Sequence, residues 1–370
     1  MIHHGPNRQS YFCLATLSTS GPKCNNLPSM HPANRLEIIS VTPALGIPGG
    51  IVYVECRGFE PGLPSISQVL LGEVAAEIVS ASADRIAVRL PENQSSLGIS
   101  LRVRGESSEV HPFPLATRLA ADVNPVTSPV IAPDGTIITT ISGTRGEQTP
   151  QPLIRITPRG EKIPFPCDIT NPTGLAFSPD GQLYISSRHD GTVLRYTDYE
   201  DLEIVAEDLG VACGIAFDSE GTLFVGDRSG RVYAVNVETG VKRDFAQLEP
   251  SVSAYHLVFD AADRLYVTGP TFSMRDSLVR IDPNGDIKIV LTGLGRPQGM
   301  AFLPDGDLLV TAAFGGSKGV FRYSPETGEL GYYIAAPILV GVAVSENGLV
   351  LADTSSIYSL DPGGHASRVS

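Results

Sequence analysis

The chain has 370 residues, 38 of them Gly and 29 Pro, a density of turn-formers that leaves room for few long helices. Its apolar share of 42% is enough to build real cores, which excludes wholesale disorder, and the length allows two or three domains. Lys plus Arg number 27 against 40 Asp plus Glu, and the resulting net charge of −13 repels phosphate backbones and anionic lipid surfaces, so no nucleic-acid partner is expected.

No run of ~18 apolar residues occurs, so no membrane-spanning helix is expected. Residues 1–35 are polar, Pro-containing and aperiodic, and read as a disordered or non-native extension. Within them Arg8 precedes a stretch from Tyr11 to Leu17 that is short for an export signal, and Met30 offers a second start beside Met1. The cysteines, Cys13, Cys24, Cys56, Cys167 and Cys213, are odd in number and never spaced as Cys-x-x-Cys, so each reads as a small buried hydrophobe. That usage fits the cytoplasm, with a disulfide-free secreted or periplasmic protein as the alternative.

Residues 36–115 show period-two alternation over 37–41, 51–56, 67–71, 76–79, 85–90 and 99–103, with Pro and Gly between nearly all of these runs. Six or seven short strands in such a length predict a small β-sandwich. The order Val41-Thr42-Pro43, Gly49-Gly50, Gly58-Phe59, Val69-Leu70-Leu71-Gly72 and Ala87-Val88-Arg89-Leu90-Pro91 resembles the IPT/TIG family of immunoglobulin-like domains. Pro112 and Pro114 mark its end, and a cut before Ala116 is expected to separate it from the rest of the chain.

From residue 116 the sequence repeats itself. An apolar strand, a turn and a second strand recur, as in Leu175-Ala176-Phe177-Ser178-Pro179-Asp180-Gly181-Gln182-Leu183-Tyr184-Ile185, with the Gly place at 135, 181, 221, 263, 306 and 348. Third strands follow, such as Val193-Leu194-Arg195-Tyr196, and most units add a fourth. Six units of about 43 residues with four strands each predict the blades of a β-propeller. The segment 116–123, which precedes the first full unit, is expected to close the ring as the outer strand of the sixth, in competition with 365–369. The absence of Trp excludes WD-type repeats. The pattern Pro172-x-Gly174-Leu175-Ala176-Phe177-x-x-Asp180-Gly181 resembles NHL repeats and, more distantly, the gluconolactonase-like propellers. The whole is therefore expected to be all-β: an immunoglobulin-like β-sandwich over 36–115 plus a six-bladed β-propeller over 116–370.

Each first strand runs toward its Asp-Gly turn, so those turns share one face, and Asp134, Asp180 and Asp305 are expected to serve the hairpins alone. On the opposite face the residue just before the inner-strand position held by Gly174, Gly214, Gly299 and Gly341 should ring the channel: Ser128, Thr173, Cys213, Tyr255, Gln298 and Val340. The gluconolactonase-like resemblance implies a Glu, an Asn and an Asp there, holding a divalent cation that polarises a lactone carbonyl. None of the six is a carboxylate, and Ser128 stands where the Glu is expected, so no cofactor is predicted and calcium or zinc enters only with the hydrolase reading. Under that reading Asp227 and Asp353, at the ends of second strands, are the first acids to consider as ligands.

Cys213 beside His256 has the composition of a nucleophile and base, though a buried thiol and a hydrogen-bonded His is the plainer reading. The Gly-rich loop at Gly315-Gly316-Ser317-Lys318 joins two strands and opens no helix, so it is no phosphate cradle. The leading expectation is a binding or interaction module that takes a small molecule, glycan or protein on the channel face, through Thr173, Cys213, Tyr255, His256 and Gln298, with Arg188, Arg228 and Arg296 at the rim. The alternative is a gluconolactonase-like, metal-dependent hydrolase of a lactone or ester.

Overall fold

The computed structural model describes residues 35–362, apart from 63, 93–97, 142, 166, 198–200 and 274. The chain divides into Met1–Arg35 and Leu36–Ser370, and the described fold lies in the second unit. The expected N-terminal extension, save Arg35, and the competing edge segment 365–369 lie outside the described residues.

Every regular element is a strand, and among the described residues no helix is long and apolar enough to cross a membrane. Residues 37–107 form two four-stranded sheets. One orders Glu37–Thr42, Ile51–Arg57, Arg85–Arg89 and Glu77–Ala81 side by side, and the other Val74–Ala75, Ser67–Leu71, Ile99–Val103 and Glu106–Ser107. Alternation decides what they bury: Val52, Val54 and Cys56 from one sheet and Val69, Leu71 and Leu101 from the other meet in one core, while Tyr53 and Glu55 between them face outward.

Beginning at Val130–Ile131, Pro172–Phe177, Ala212–Phe217, His256–Phe259, Met300–Phe302 and Leu339–Ser345, six sheets follow, here numbered units one to six. In each, four antiparallel strands lie side by side, starting from the first strand. The first strands touch one another in chain order and the sixth touches the first, so they encircle an axis. The outer place in unit six is filled by Thr117–Ala120, which pairs with Ile357–Leu360 through Thr117 opposite Ser359.

The repeated x-Ala-Phe and Leu-Tyr pieces explain how units stack. The second-strand aromatic of one unit packs edge-on against the first-strand Phe of the next: Tyr184 with Phe217 at 4.9 Å, Phe224 with Phe259 at 4.9 Å and Tyr266 with Phe302 at 5.2 Å between ring centroids. Each pair contributes about 0.5–1.5 kcal/mol beyond the area it buries. At the other three junctions aliphatic residues take the same places, as Ile138 does beside Phe177. The hairpins behave as expected: Gly135, Gly181 and Gly306 have φ of 81°, 86° and 91°, and Asp134 Oδ1 accepts the Thr136 amide at 2.9 Å.

The structure differs from expectation on separability. Leu45–Gly46, from the N-terminal part, pairs in parallel with Leu330–Ala335 as a fifth strand of unit five, with Leu45 opposite Ile334 and Gly46 opposite Ala335. The Ile47 amide donates to the Ala335 carbonyl at 2.9 Å, and Leu45 and Ile47 share a core with Leu309, Val320 and Ile334. Tyr332 Oη donates to the Ile51 carbonyl at 3.2 Å and the Lys318 carbonyl at 2.7 Å, joining both parts again. At Gly50 a Cβ would stand 2.4 Å from the Ala335 carbonyl oxygen, so the two backbones meet where no side chain fits. A cut before Ala116 thus leaves the Leu330–Ala335 edge and part of its core uncovered.

Chains beginning at Leu36, Ala116 and Asn124 are therefore expected to melt at successively lower temperatures, the third also lacking Thr117–Ala120. Equal melting of the first two, followed by scanning fluorimetry, would show that the fifth strand contributes nothing to the stability of unit five.

Candidate functional site

The first strands enclose a cavity of about 430 Å³ along the axis. What sets its width is the residue at one position of each first strand. Gly174, Gly214, Gly299 and Gly341 occupy it, and a Cβ on Gly174 would lie 2.4 Å from the Cys213 carbonyl oxygen, one on Gly214 2.3 Å from that of Tyr255, and one on Gly341 2.3 Å from Ser128 Cα. These contacts are to backbone of the next unit and cannot be relieved by a rotamer change. Hydroxyls bind the same junctions: Ser186 Oγ donates to the Cys213 carbonyl at 2.5 Å and accepts the Gly174 amide at 2.8 Å, and Thr140 Oγ1 donates to the Thr173 carbonyl at 3.3 Å.

In unit four His256 takes the glycine's place. The residue is 7% exposed, and burial pushes the imidazole pKa down from 6.5 to about 4, partly offset by the neighbouring Gln298 side chain of unit five. The ring is neutral at physiological pH, it lines the cavity, and its Nε2 meets no hydrogen-bonding atom of the protein. The cavity's lining side chains are mostly apolar: among the described residues at the cavity wall only Thr127, Ser128 and His256 carry polar side chains, although the wall also presents a large share of polar surface.

Of the eight residues expected on the channel face, His256 alone lines the cavity. Thr173, Cys213 and Tyr255 are buried and do not line it, Gln298, Arg188 and Arg228 are half-buried, and Arg296 is exposed. Thr173 Oγ1 donates to the Asn171 carbonyl at 3.3 Å. The Cys213 thiol donates to the Val211 carbonyl at 3.2 Å, and burial pushes its pKa up to about 12, so it carries no thiolate for attack at neutral pH. Burial also raises the Tyr255 phenol above its usual range, and its Oη has no partner in the protein. Arg188 Nη2 donates to the Gly143 carbonyl and Arg228 Nη2 to the Val252 carbonyl, each at 3.1 Å, while the Arg296 amide donates to Asp276 Oδ2 at 3.2 Å. Both half-buried guanidiniums therefore brace loops of neighbouring units.

The acids behave alike. Asp227 Oδ1 accepts the Val211 amide at 2.7 Å and Oδ2 accepts the Ser229 hydroxyl. Asp353 Oδ1 accepts the Ser355 and Ser356 amides at 2.7 Å, and Oδ2 accepts the Tyr358 hydroxyl at 3.0 Å. Asp276 Oδ1 holds the Thr271 amide at 2.8 Å. These carboxylates pin loops, and among the described residues no three His, Cys, Asp or Glu gather as a metal set. The cavity wall itself went unread in the sequence, because Phe177, Phe302, Met300 and Val344 look like blade core there. The one legible signal was His256 standing where the aligned strands carry Gly.

Two measurements check this geometry. Gly214→Ala is expected to cost about 3 kcal/mol in denaturant unfolding, from forced overlap with Tyr255, whereas Gly181→Ala, at φ of 86° with open space around it, should cost about 1 kcal/mol; equal costs would mean that the junction is not tight. For His256 the folded pKa lies below the unfolded one, so its contribution to stability is complete above pH 6.5, declines as the pH falls and is gone below about 4. His256→Gln should therefore lose less stability than the wild type between those pH values, and identical pH profiles would show that the ring is not held neutral.

No family model matches the chain. Over 135 residues it is 28% identical to Pentonolactonase XacC of Haloferax volcanii, a match that covers 36% of this chain and 46% of that protein, about half its length. Among solved structures it is similar to an auxiliary nutrient binding protein from Bacteroides ovatus, with a TM-score of 0.52 at 12% identity over 88% of this chain and 97% of the other. An auxiliary nutrient binding protein from Bacteroides thetaiotaomicron gives the same TM-score and identity over 90% and 99%. At such identities the likeness is one of fold, and the fold is an all-β structure of β-propeller type.

Proposed function

We propose that this chain is a small-molecule binding module, built as an immunoglobulin-like sandwich of IPT/TIG type over 36–115 and a six-bladed, NHL-like propeller over 116–370. The observation that carries the reading is the 430 Å³ axial cavity, within the size range of ligand sites, lined by mostly apolar side chains, backbone polar groups and the neutral His256. A protein partner calls for exposed aromatic anchors. Tyr255 and His256, expected on the ligand-binding face, are buried, which favours a small molecule.

The second reading, a gluconolactonase-like hydrolase, draws on the partial match to the pentonolactonase. Calcium or zinc chemistry of that kind needs anionic oxygens at the channel. Asp227, Asp276 and Asp353 are engaged in loops and the described wall offers none, so the residues do not fit such a metal and no hydrolytic step is derived from one.

Purified protein is expected to hydrolyse a pentonolactone no faster than buffer, with or without added calcium or zinc, followed by alkali uptake at constant pH. Turnover that a chelator abolishes would replace the binding reading with the hydrolase.

A further inference from the structure

Where units four and five meet, the face opposite the Asp-Gly turns carries exposed phenyl rings and cations that take no part in the cavity wall. Phe272, in the loop from Leu265–Thr268 to Asp276–Ile281 of unit four, is 89% exposed, and Phe314, at the end of Leu308–Phe314 in unit five, is 37% exposed. One carboxylate gathers this corner. Asp276, itself 3% exposed, accepts the Thr271 amide at 2.8 Å on Oδ1 and the Arg296 amide at 3.2 Å on Oδ2, so Phe272, Arg275 and Arg296 leave the backbone within one residue of the groups it joins. Gly295 and Ala313 exchange backbone hydrogen bonds of 2.7 and 2.9 Å, and Ala313 also pairs with Lys318. Arg296 and Lys318 therefore stand beside the two edges of the strand that ends in Phe314.

Arg275, Arg296 and Lys318 are exposed, and among the described residues none of them forms an ion pair. Other cations of the same two units do: Arg280 and Lys288 are held by Asp282, and Arg322 by Asp305 and Asp307. The corner thus sets three cations against one buried carboxylate in a chain of net charge −13. The backbone at Arg296 adds an independent sign. Its φ of 48° lies in the left-handed region that favours Gly and Asn, and three residues before Gly174, where Arg296 stands three before Gly299, Asn171 holds the same φ of 48°. A guanidinium is kept where Asn would sit at less cost, yet it reaches no acid of this chain. Phe314 is held in place as well: its ring packs edge-on against Phe321 at 5.9 Å, and Phe321 stacks on Tyr332 at 5.1 Å between centroids.

A small molecule binds in a concavity and cannot cover a phenyl that stands almost fully out in water, so Phe272 calls for a partner that brings its own surface. Nucleic acid and anionic membranes carry continuous negative charge, which the net charge of −13 repels. A protein can confine its acids to a segment the size of this corner. We propose that the corner between units four and five docks an acidic, aromatic-containing segment of a partner protein. Phe272 and Phe314 pack against its apolar side chains, and Arg275, Arg296 and Lys318 meet its carboxylates. This surface is separate from the cavity and goes beyond the small-molecule reading.

The test uses the full-length protein and a labelled random copolymer of glutamate and tyrosine, followed by fluorescence anisotropy, with poly-glutamate and phosphatidylserine–phosphatidylcholine vesicles as comparisons. The copolymer is expected to bind about ten-fold more tightly than poly-glutamate, and Phe272→Ser should abolish that preference. Arg296→Asn combined with Lys318→Gln should weaken copolymer binding about ten-fold without lowering the melting temperature, because Asn suits the backbone at 296. Arg159→Gln, on an exposed turn of unit one, should leave binding unchanged. An equal loss with Arg159→Gln, or none with the double variant, overturns the assignment to this corner. Unchanged preference in Phe272→Ser overturns the aromatic anchor. No binding of the copolymer, or binding of the vesicles in its place, overturns the protein partner. None of these residues lines the cavity, so each result leaves the small-molecule reading as it stands.

Discussion

The close approach of consecutive first strands governs this structure. A Cβ at Gly174 or Gly214 would fall within 2.4 Å of the next unit's carbonyl oxygen, so the inner strands touch backbone to backbone. From that contact the sheets diverge outward, and the widening gap between neighbours is filled first by hydroxyls such as Ser186 and then by aromatic pairs such as Tyr184 with Phe217. A larger residue at the glycine place would have to push a backbone, and the backbone it meets belongs to the adjacent sheet. The tolerance of the ring for change is therefore smallest at its axis.

The same constraint shapes the chemistry at the axis. Polar groups near the inner strands are needed to satisfy backbone that has been brought together: Asp227, Asp353 and Asp276 hold loop amides, and Arg188 and Arg228 hold loop carbonyls. Groups used in this way are not free to serve a metal or an anion. Among the described residues, what remains facing the axis is mostly aliphatic and aromatic, with Thr127, Ser128 and His256 as the exceptions. The neutral state of His256 follows from that setting, because an imidazolium with no counter-charge in a mostly apolar wall is strongly disfavoured.

The N-terminal sheets are part of the same construction. Through Leu45–Gly46 and Ile47 they extend unit five and share its core, and Thr117–Ala120 then completes unit six on the way to Val130–Ile131. The chain thus caps one sheet edge and closes the next within the same stretch of sequence. Both edges would otherwise present unpaired backbone groups to solvent.

The repeats, their four strands and the role of the Asp-Gly turns were legible in the sequence because hairpin chemistry and period-two alternation are local: Gly181 and Gly306 need positive φ whatever surrounds them. The alternating runs over 36–115 were legible for the same reason, and the strands found there match them closely. The parallel pairing of Leu45–Gly46 with Leu330–Ala335 left no mark, since two residues are too short to show a period and their partner lies far along the chain. The candidate site was readable only in part. His256 could be named, but that Tyr255, Cys213 and Thr173 are buried while Phe177 and Phe302 border an open channel depends on how six sheets incline to one axis. Sequence by itself determined the strands, the turns and the order of the units, because those follow from neighbours along the chain. Tertiary structure decided which residues face the axis and which are buried between units, because burial is settled by contacts between units that no local pattern encodes.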